Sequence, residues 1–143
     1  YTKTSLIISF ALLINPLSAH SEPIKNLTKE QKRTIAVMLA AEAGGEGFLG
    51  MYLVANTIKN RALKGKISPY SVVIAPKQYY GYTTRNRFKL YAQVKKSADY
   101  LAERIMDLPD KTNGALYFRQ PKEPLYSWHK TKTIQYLNHI FYK

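Results

Sequence analysis

The sequence contains no cysteine and few acidic residues. Its 143 residues hold 22 Lys+Arg against only 9 Asp+Glu, which gives a formal charge of +13. Without cysteine the chain cannot be a disulfide-stapled miniprotein, a cysteine-ligated zinc module or a thiol peptidase. A hydrophobic content of 45% also excludes a disordered tail. The composition predicts one globular domain stabilised by packing, with a surface that attracts polyanions such as nucleic acid, lipid headgroups or bacterial wall polymers.

Other catalytic chemistries lack their motifs. His129 and His139 are ten residues apart and no HExxH accompanies them, so we expect no metal and no cofactor. There is neither a GxSxG nucleophile elbow nor a phosphate-binding glycine loop. For His139 we expect a place in a β ladder, with a hydrogen bond to a carbonyl group.

The N-terminal stretch has the pattern of a secretory signal. Lys3 precedes the uncharged run LIISFALLI at 6–14, and Pro16 and several small residues follow. The run is shorter than the roughly 20 apolar residues that a membrane-spanning helix needs, although a membrane anchor is the competing interpretation. We predict a signal peptide over residues 1–21 and a single mature domain over 22–143, with no stable membrane insertion after cleavage.

Hydrophobic periodicity predicts an α+β fold, mostly helical with a small C-terminal β element. A capping box at Thr28 and Gln31 opens the first helix, and Gly44-Gly45 ends it. Further helices are predicted over 46–63, with Gly65 as the stop, over 68–75 and over 88–108. Strands are predicted at 115–118 and 139–142, with a proline-rich loop over 119–129 between them.

Glu42 is the strongest catalytic candidate among the acidic residues. It takes the last place on the apolar stripe of the first helix, where partial desolvation favours the protonated form that a general acid needs. The alternative is a frayed helix end at which Glu42 faces water. Glu46 follows the glycines at the start of the next helix, where we expect it to cap the helix.

Aromatic and basic residues gather in the segments between the predicted helices and strands. Residues 77–87 (KQYYGYTTRNR) have no helical period and predict a functional loop. Gln78 is a candidate hydrogen-bonding residue, and Arg85, Arg87 and Arg119 are candidate partners for carboxylates. The following aromatic residues are candidates for contact with a ligand: Tyr79, Tyr80, Tyr82, Tyr117, Tyr126 and Trp128.

Five segments together resemble the cell wall hydrolases of the spore cortex-lytic enzyme (SleB) type. The resemblance covers residues 35–142, and Asn60-Arg61 within it are expected to serve structure. The sequence departs from the family pattern at Gly44, where arginine is frequent, and in its tyrosine-rich loop. The matching segments are EAGGE at 42–46 with Gly50, VA at 54–55 with IKNR at 58–61, PKQY at 76–79, NGALYF at 113–118, and Trp128 with HIFY at 139–142.

The resemblance implies a lysozyme-like lytic transglycosylase that cuts peptidoglycan between N-acetylmuramic acid and N-acetylglucosamine. The family's catalytic glutamate corresponds to Glu42, which would act as acid and then as base while the muramyl C6 hydroxyl attacks. If water attacks instead, Glu46 is the candidate second carboxylate. The expected substrate-binding residues are Gln78, Tyr79, Tyr80, Tyr117 and Trp128.

The same resemblance sets the expected partner and location. We expect peptidoglycan glycan strands as the partner, no nucleic acid, a monomer, and a secreted or periplasmic protein associated with the cell wall. The alternative is a secreted basic module without catalysis that binds anionic wall polymer or nucleic acid, as the alternation of basic and aromatic residues over 77–91 would allow.

Overall fold

A computed structural model describes residues 26–76, 79 and 85–143. The predicted signal over 1–21 and most of the tyrosine-rich loop lie outside the described residues. The predicted class, mostly helical with a small C-terminal sheet, is confirmed. The helices are α1 (Lys29–Ala43), α2 (Gly47–Gly65), α3 (Pro69–Ile74) and α4 (Arg87–Glu103), with 3₁₀ turns at Gly44–Glu46 and Ile105–Asp107; the strands are β1 (Tyr117–Arg119), β2 (Lys132–Tyr136) and β3 (His139–Tyr142).

Helix α1 begins and ends where the sequence predicts. The Gln31 amide donates to Thr28 Oγ1 at 3.1 Å, and the Thr28 amide donates to Gln31 Oε1 at 3.0 Å, which completes the capping box. Residues 35–40 of α1 are all buried. The helix gives way to a 3₁₀ turn at the double glycine, so the last helical turn ends immediately after Glu42.

Helix α2 is the central helix of the core. Residues 50–58 are all buried, and the helix contacts α1, α3, α4 and β1. Buried Asn56 ties it to the segment after α4, since its Nδ2 donates to the Pro109 carbonyl and its Oδ1 accepts from the Lys111 amide. The left-handed residue that ends α2 is Lys66 (φ 54°), one position beyond the predicted stop at Gly65.

The core accounts for the apolar character of the first two helices. In the described part of the chain, one helical stretch, Lys29–Gly65, is long and apolar enough to cross a membrane. The 3₁₀ turn at Gly44–Glu46 divides this stretch into α1 and α2, and both helices bury apolar side chains in the domain core.

Helix α4 packs along α1 and is bent. Val94 has non-helical dihedral angles (φ −126°, ψ 23°). Its side chain packs close to Gly44, since a Cβ added to this glycine would lie 3.4 Å from a Val94 methyl group. The helix ends at Glu103, earlier than the predicted residue 108, because a 3₁₀ turn takes over at Ile105–Asp107.

The C-terminal sheet is antiparallel with the strand order β1-β3-β2. Strand β3 is central and wholly buried, and its bounds agree with the predicted 139–142. Strand β1 begins two residues later and ends one residue later than the predicted 115–118. Strand β2 was not predicted. It lies at the sheet edge and is partly exposed, and its largely polar sequence KTIQY has little of the apolar pattern that marks a strand.

Candidate active site

Glu42 lies in the last turn of α1 and is half-buried. Burial is the main cause that raises the pKa of the Tyr79 phenol, and the Glu42 charge adds a smaller effect in the same direction. The helix continues through Glu42 to Ala43, so its end does not fray at this residue.

Tyr79 is buried against α2. Its side chain is only 5% exposed, and its hydroxyl lies 3.5 Å from Thr57 Oγ1 on α2. The Arg61 charge and the hydroxyl of Thr57 oppose the effect of burial, but the pKa of Tyr79 is still raised. The phenol therefore stays neutral and can donate a hydrogen bond, but its ring is not free to stack on a sugar.

Arg61 lies against two of the predicted site residues, which agrees with the structural role expected for Asn60-Arg61. Its guanidinium carbon lies 5.7 Å from the ring centre of Tyr79 and 5.3 Å from that of Tyr117. The neighbouring Asn60 is structural as predicted, since its Nδ2 donates to the Ala115 carbonyl at 2.9 Å. Arg61 thus connects the Glu42 end of α1, through Tyr79, to β1.

Four rings from β1 and the loop that follows it form a cluster, which we call the aromatic platform: Tyr117, Tyr126, Trp128 and His129. The Trp128 ring centre lies 5.0 Å from that of Tyr117 and 5.2 Å from that of Tyr126, and the latter pair is stacked at 15°. Tyr126 is 51% and Trp128 46% exposed. The platform therefore presents two nearly parallel rings to solvent.

His129 is the buried member of the platform and packs against Trp128. Its Nδ1 accepts a hydrogen bond from the Tyr126 amide at 2.9 Å, and its ring centre lies 4.0 Å from that of Trp128. Burial and the Arg119 charge lower the pKa of this histidine. A neutral imidazole can accept the Tyr126 hydrogen bond, so the platform geometry does not depend on protonation near neutral pH.

Glu46 does not cap α2, and that prediction is wrong. Its side chain makes no capping bond. Instead, Oε2 accepts from the Asn138 amide at 2.8 Å, and Oε1 lies 2.5 Å from His139 Nδ1. The prediction that His139 bonds a carbonyl group is also wrong. The cause is the 3₁₀ turn, which places Glu46 beside the β2–β3 turn.

Among the remaining predicted residues, the structure describes the contacts of Arg119. Arg119 was expected to bind substrate carboxylates, but its guanidinium donates to the Tyr142 hydroxyl and to backbone carbonyls over residues 120–123. It therefore holds the loop after β1. Gln78, Tyr80 and Tyr82 lie outside the described residues. Within 26–76, 79 and 85–143, no group of three His, Asp or Glu side chains is placed to hold a metal ion.

Comparisons with known proteins agree with this architecture. A family profile described as Cell Wall Hydrolase matches residues 45–142, a range that begins just after Glu42. No curated protein sequence matches the chain.

Two solved structures share the fold. One is the catalytic domain of the germination-specific lytic transglycosylase SleB from Bacillus anthracis, with 22% identity, a TM-score of 0.66, and coverage of 82% of this chain and 98% of that one. The other is the catalytic domain of the Bacillus cereus SleB protein, with 21% identity, a TM-score of 0.63, and coverage of 82% and 93%.

Proposed function

Since this chain belongs to the cell wall hydrolase family, we propose that it cleaves the glycan strand of peptidoglycan between N-acetylmuramic acid and N-acetylglucosamine, with Glu42 as general acid and base. The observation that carries the proposal is that Arg61 lies against both Tyr79, on whose phenol the Glu42 charge acts, and Tyr117 of the aromatic platform. It links an acid to a surface suited to sugar rings.

The proposed reaction needs one carboxyl group. Protonated Glu42 gives its proton to the glycosidic oxygen as the bond to C1 of the muramyl residue breaks. The resulting carboxylate then accepts the proton of the muramyl C6 hydroxyl as that oxygen bonds to C1. The products are a 1,6-anhydro sugar and a new free hydroxyl end, and Glu42 is protonated again. Because the nucleophile belongs to the substrate, its effective concentration is high without a second catalytic residue.

The surroundings of Glu46 favour this route over hydrolysis. Both of its carboxylate oxygens already have partners in the β2–β3 hairpin. Four other acidic side chains accept hydrogen bonds or pair with a lysine elsewhere in the fold: Asp99, Glu103, Asp110 and Glu123. A hydrolytic mechanism with two carboxylates would have to take Glu46 away from the hairpin.

The aromatic platform supplies the proposed substrate contacts. Sugar rings stack on exposed aromatic faces, and Tyr126 and Trp128, which are stacked on each other, are each about half exposed. Tyr117 continues the surface toward Arg61. We assign Trp128 and Tyr117 to glycan binding, and Tyr79 to the wall of the site. We further propose that the protein is a monomer that acts outside the cytoplasm, exported by the signal over residues 1–21.

Clearing of a purified peptidoglycan suspension tests the proposal. Wild type and Glu30→Gln, an exposed glutamate in the first turn of α1, should clear the suspension, whereas Glu42→Gln should not. Circular dichroism checks that both variants are folded. Mass spectrometry of the released fragments should find sugars lighter by one water than hydrolysis products. Clearing by Glu42→Gln at the wild-type rate would refute the assignment, and binding without clearing by all three proteins would favour the non-catalytic module.

A further inference from the structure

One hydrogen-bonded turn holds the exposed rings of the aromatic platform. The His129 amide donates to the Tyr126 carbonyl at 3.0 Å, and the Tyr126 amide donates to His129 Nδ1 at 2.9 Å. The first bond joins backbone groups, whereas the second depends on the histidine side chain. Trp128 lies within this turn, with its ring centre 4.0 Å from that of His129. The side chain of His129 therefore helps to set the positions of the Tyr126 and Trp128 rings.

The hydrogen bond to Nδ1 fixes where His129 carries its proton. A nitrogen that accepts from an amide has no proton of its own, so the proton of the neutral ring is on Nε2. Among the residues that the structure describes, none forms a hydrogen bond with this buried Nε2. A second proton would have to bind at Nδ1, where it would face the Tyr126 N–H. Protonation of the ring is therefore incompatible with the closed turn.

The surroundings of His129 oppose a positive charge on the ring. The side chain is only 8% exposed, and its ring centre lies 4.8 Å from that of Tyr142 on β3. Burial is the main cause that lowers the pKa of His129, the Arg119 charge on β1 lowers it further, and the Glu123 charge opposes them in part. The Glu123 carboxylate already accepts from the Gln120 amide. A protonated ring would thus leave its buried place for water.

The direction of the pH dependence follows from these observations. A histidine in an open, solvated turn has a pKa near 6.5, and the closed turn lowers that pKa. The closed turn is therefore fully favoured above pH 6.5 or so and becomes less favoured as pH falls below that value. The charged and titratable groups around the ring are Arg119, Glu123, Tyr126 and Tyr142. Of all these side-chain types, only histidine ordinarily changes charge between pH 5 and 8.

We propose that His129 is a positioning residue for glycan binding, which holds the turn over 126–129 in its binding conformation while neutral and releases it when protonated. The protein then binds glycan at neutral pH and loses it in mild acid. That the turn contacts glycan rests on the proposed function; the dependence of the turn on His129 does not.

The fluorescence of the full chain tests the proposal, because Trp128 is its single tryptophan. In the absence of glycan, the wild-type emission should shift to longer wavelength as pH is lowered from about 8 to about 5, with a midpoint below roughly 6.5. Binding to purified peptidoglycan should weaken about threefold or more over the same range, since one proton changes affinity by at most tenfold per pH unit. Circular dichroism at each pH checks that the helices stay folded.

Two variants separate the hydrogen bond from the ring. His129→Asn places an amide oxygen as many bonds from Cα as Nδ1, so it can accept from the Tyr126 amide but does not titrate. Its emission and its peptidoglycan binding should each be the same at pH 8 and pH 5. His129→Phe keeps an aromatic ring without the acceptor, so it should show the acid form of the emission already at pH 8.

Each result bears on one of the two proposals. The same pH dependence in wild type and His129→Asn, or a wild-type emission that is constant down to pH 5, would overturn the role of His129. An emission shift that His129→Asn abolishes, combined with peptidoglycan binding that is constant with pH, would overturn the link to glycan. Glu42→Gln should lose clearing and keep the wild-type emission profile, so failure of the catalytic proposal is distinguishable from failure of this one.

Discussion

Replacement of Gly50 by alanine should destabilise the protein, against the usual trend for helices. Glycine to alanine within a helix normally stabilises by about 0.5–1 kcal/mol. In this fold, a Cβ at position 50 would lie 2.6 Å from Glu46 Cβ and 3.1 Å from Glu46 Oε1. Because Cβ is bonded directly to the backbone, no side-chain rotation can move it away, so Glu46 as a whole has to shift.

The expected cost follows from what Glu46 holds. Its movement breaks the bonds to the Asn138 amide and to His139 Nδ1, each worth about 1.5–3 kcal/mol as a bond to a charged group. Both side chains of the Glu46–His139 pair are largely buried, with 13% and 3% exposed, so water replaces these bonds poorly. After the helix gain is subtracted, Gly50→Ala should lower the free energy of unfolding by about 2–5 kcal/mol.

Thermal and urea denaturation followed by circular dichroism would measure the effect, with the melting temperature roughly 8–20 °C lower. Gly65→Ala in the last position of the same helix is the control, because its Cβ would meet only the Ile67 side chain at 3.5 Å; it should be neutral or slightly stabilising. In a Glu46→Gly background, which removes the clashing atoms, Gly50→Ala should cost almost nothing. A stabilised Gly50→Ala, or an unchanged penalty in that background, would refute the reasoning.

Three further predictions concern the platform and the loop after α4. Trp128→Ala should weaken binding to purified peptidoglycan in a pull-down without lowering the melting temperature, whereas Leu125→Ala, a similarly exposed neighbour, should leave binding intact; equal binding by both variants would remove Trp128 from the site. Asn56→Ala should destabilise by about 1–3 kcal/mol in urea titration, because it removes two part-buried hydrogen bonds, although the Pro109 carbonyl keeps its bond from the Tyr52 hydroxyl. Partial burial would raise the pKa of Asp110, but hydrogen-bond donors at residues 112, 114 and 60 lower it. The contribution of the Asp110 carboxylate to stability is therefore present above the unfolded pKa near 4, and it is lost as pH falls through the lower folded pKa. Asp110→Asn should therefore destabilise by about 1–3 kcal/mol at pH 7 and by less at pH 2.5, and an equal loss at both pH values would contradict the assignment.

Sequence patterns located the elements whose signals are local. The capping box that starts α1 joins residues three apart, and the double glycine that ends it adjoins the last turn. Strand β3 is wholly buried, so its apolar run was visible in the sequence. By contrast, β2 takes its place from pairing with β3, and the bend of α4 at Val94 accompanies packing against α1.

The same distinction applies to the candidate site. The sequence by itself determined that a glutamate would stand at the end of an apolar helix face beside two glycines, because helical period and glycine content are properties of neighbouring residues. Only the tertiary structure decided that Glu46 bonds residues 92 and 93 positions away and that Arg61 lies against both Tyr79 and Tyr117. Those contacts depend on how the chain folds back on itself, and no local pattern of residues records which distant partner a side chain will meet.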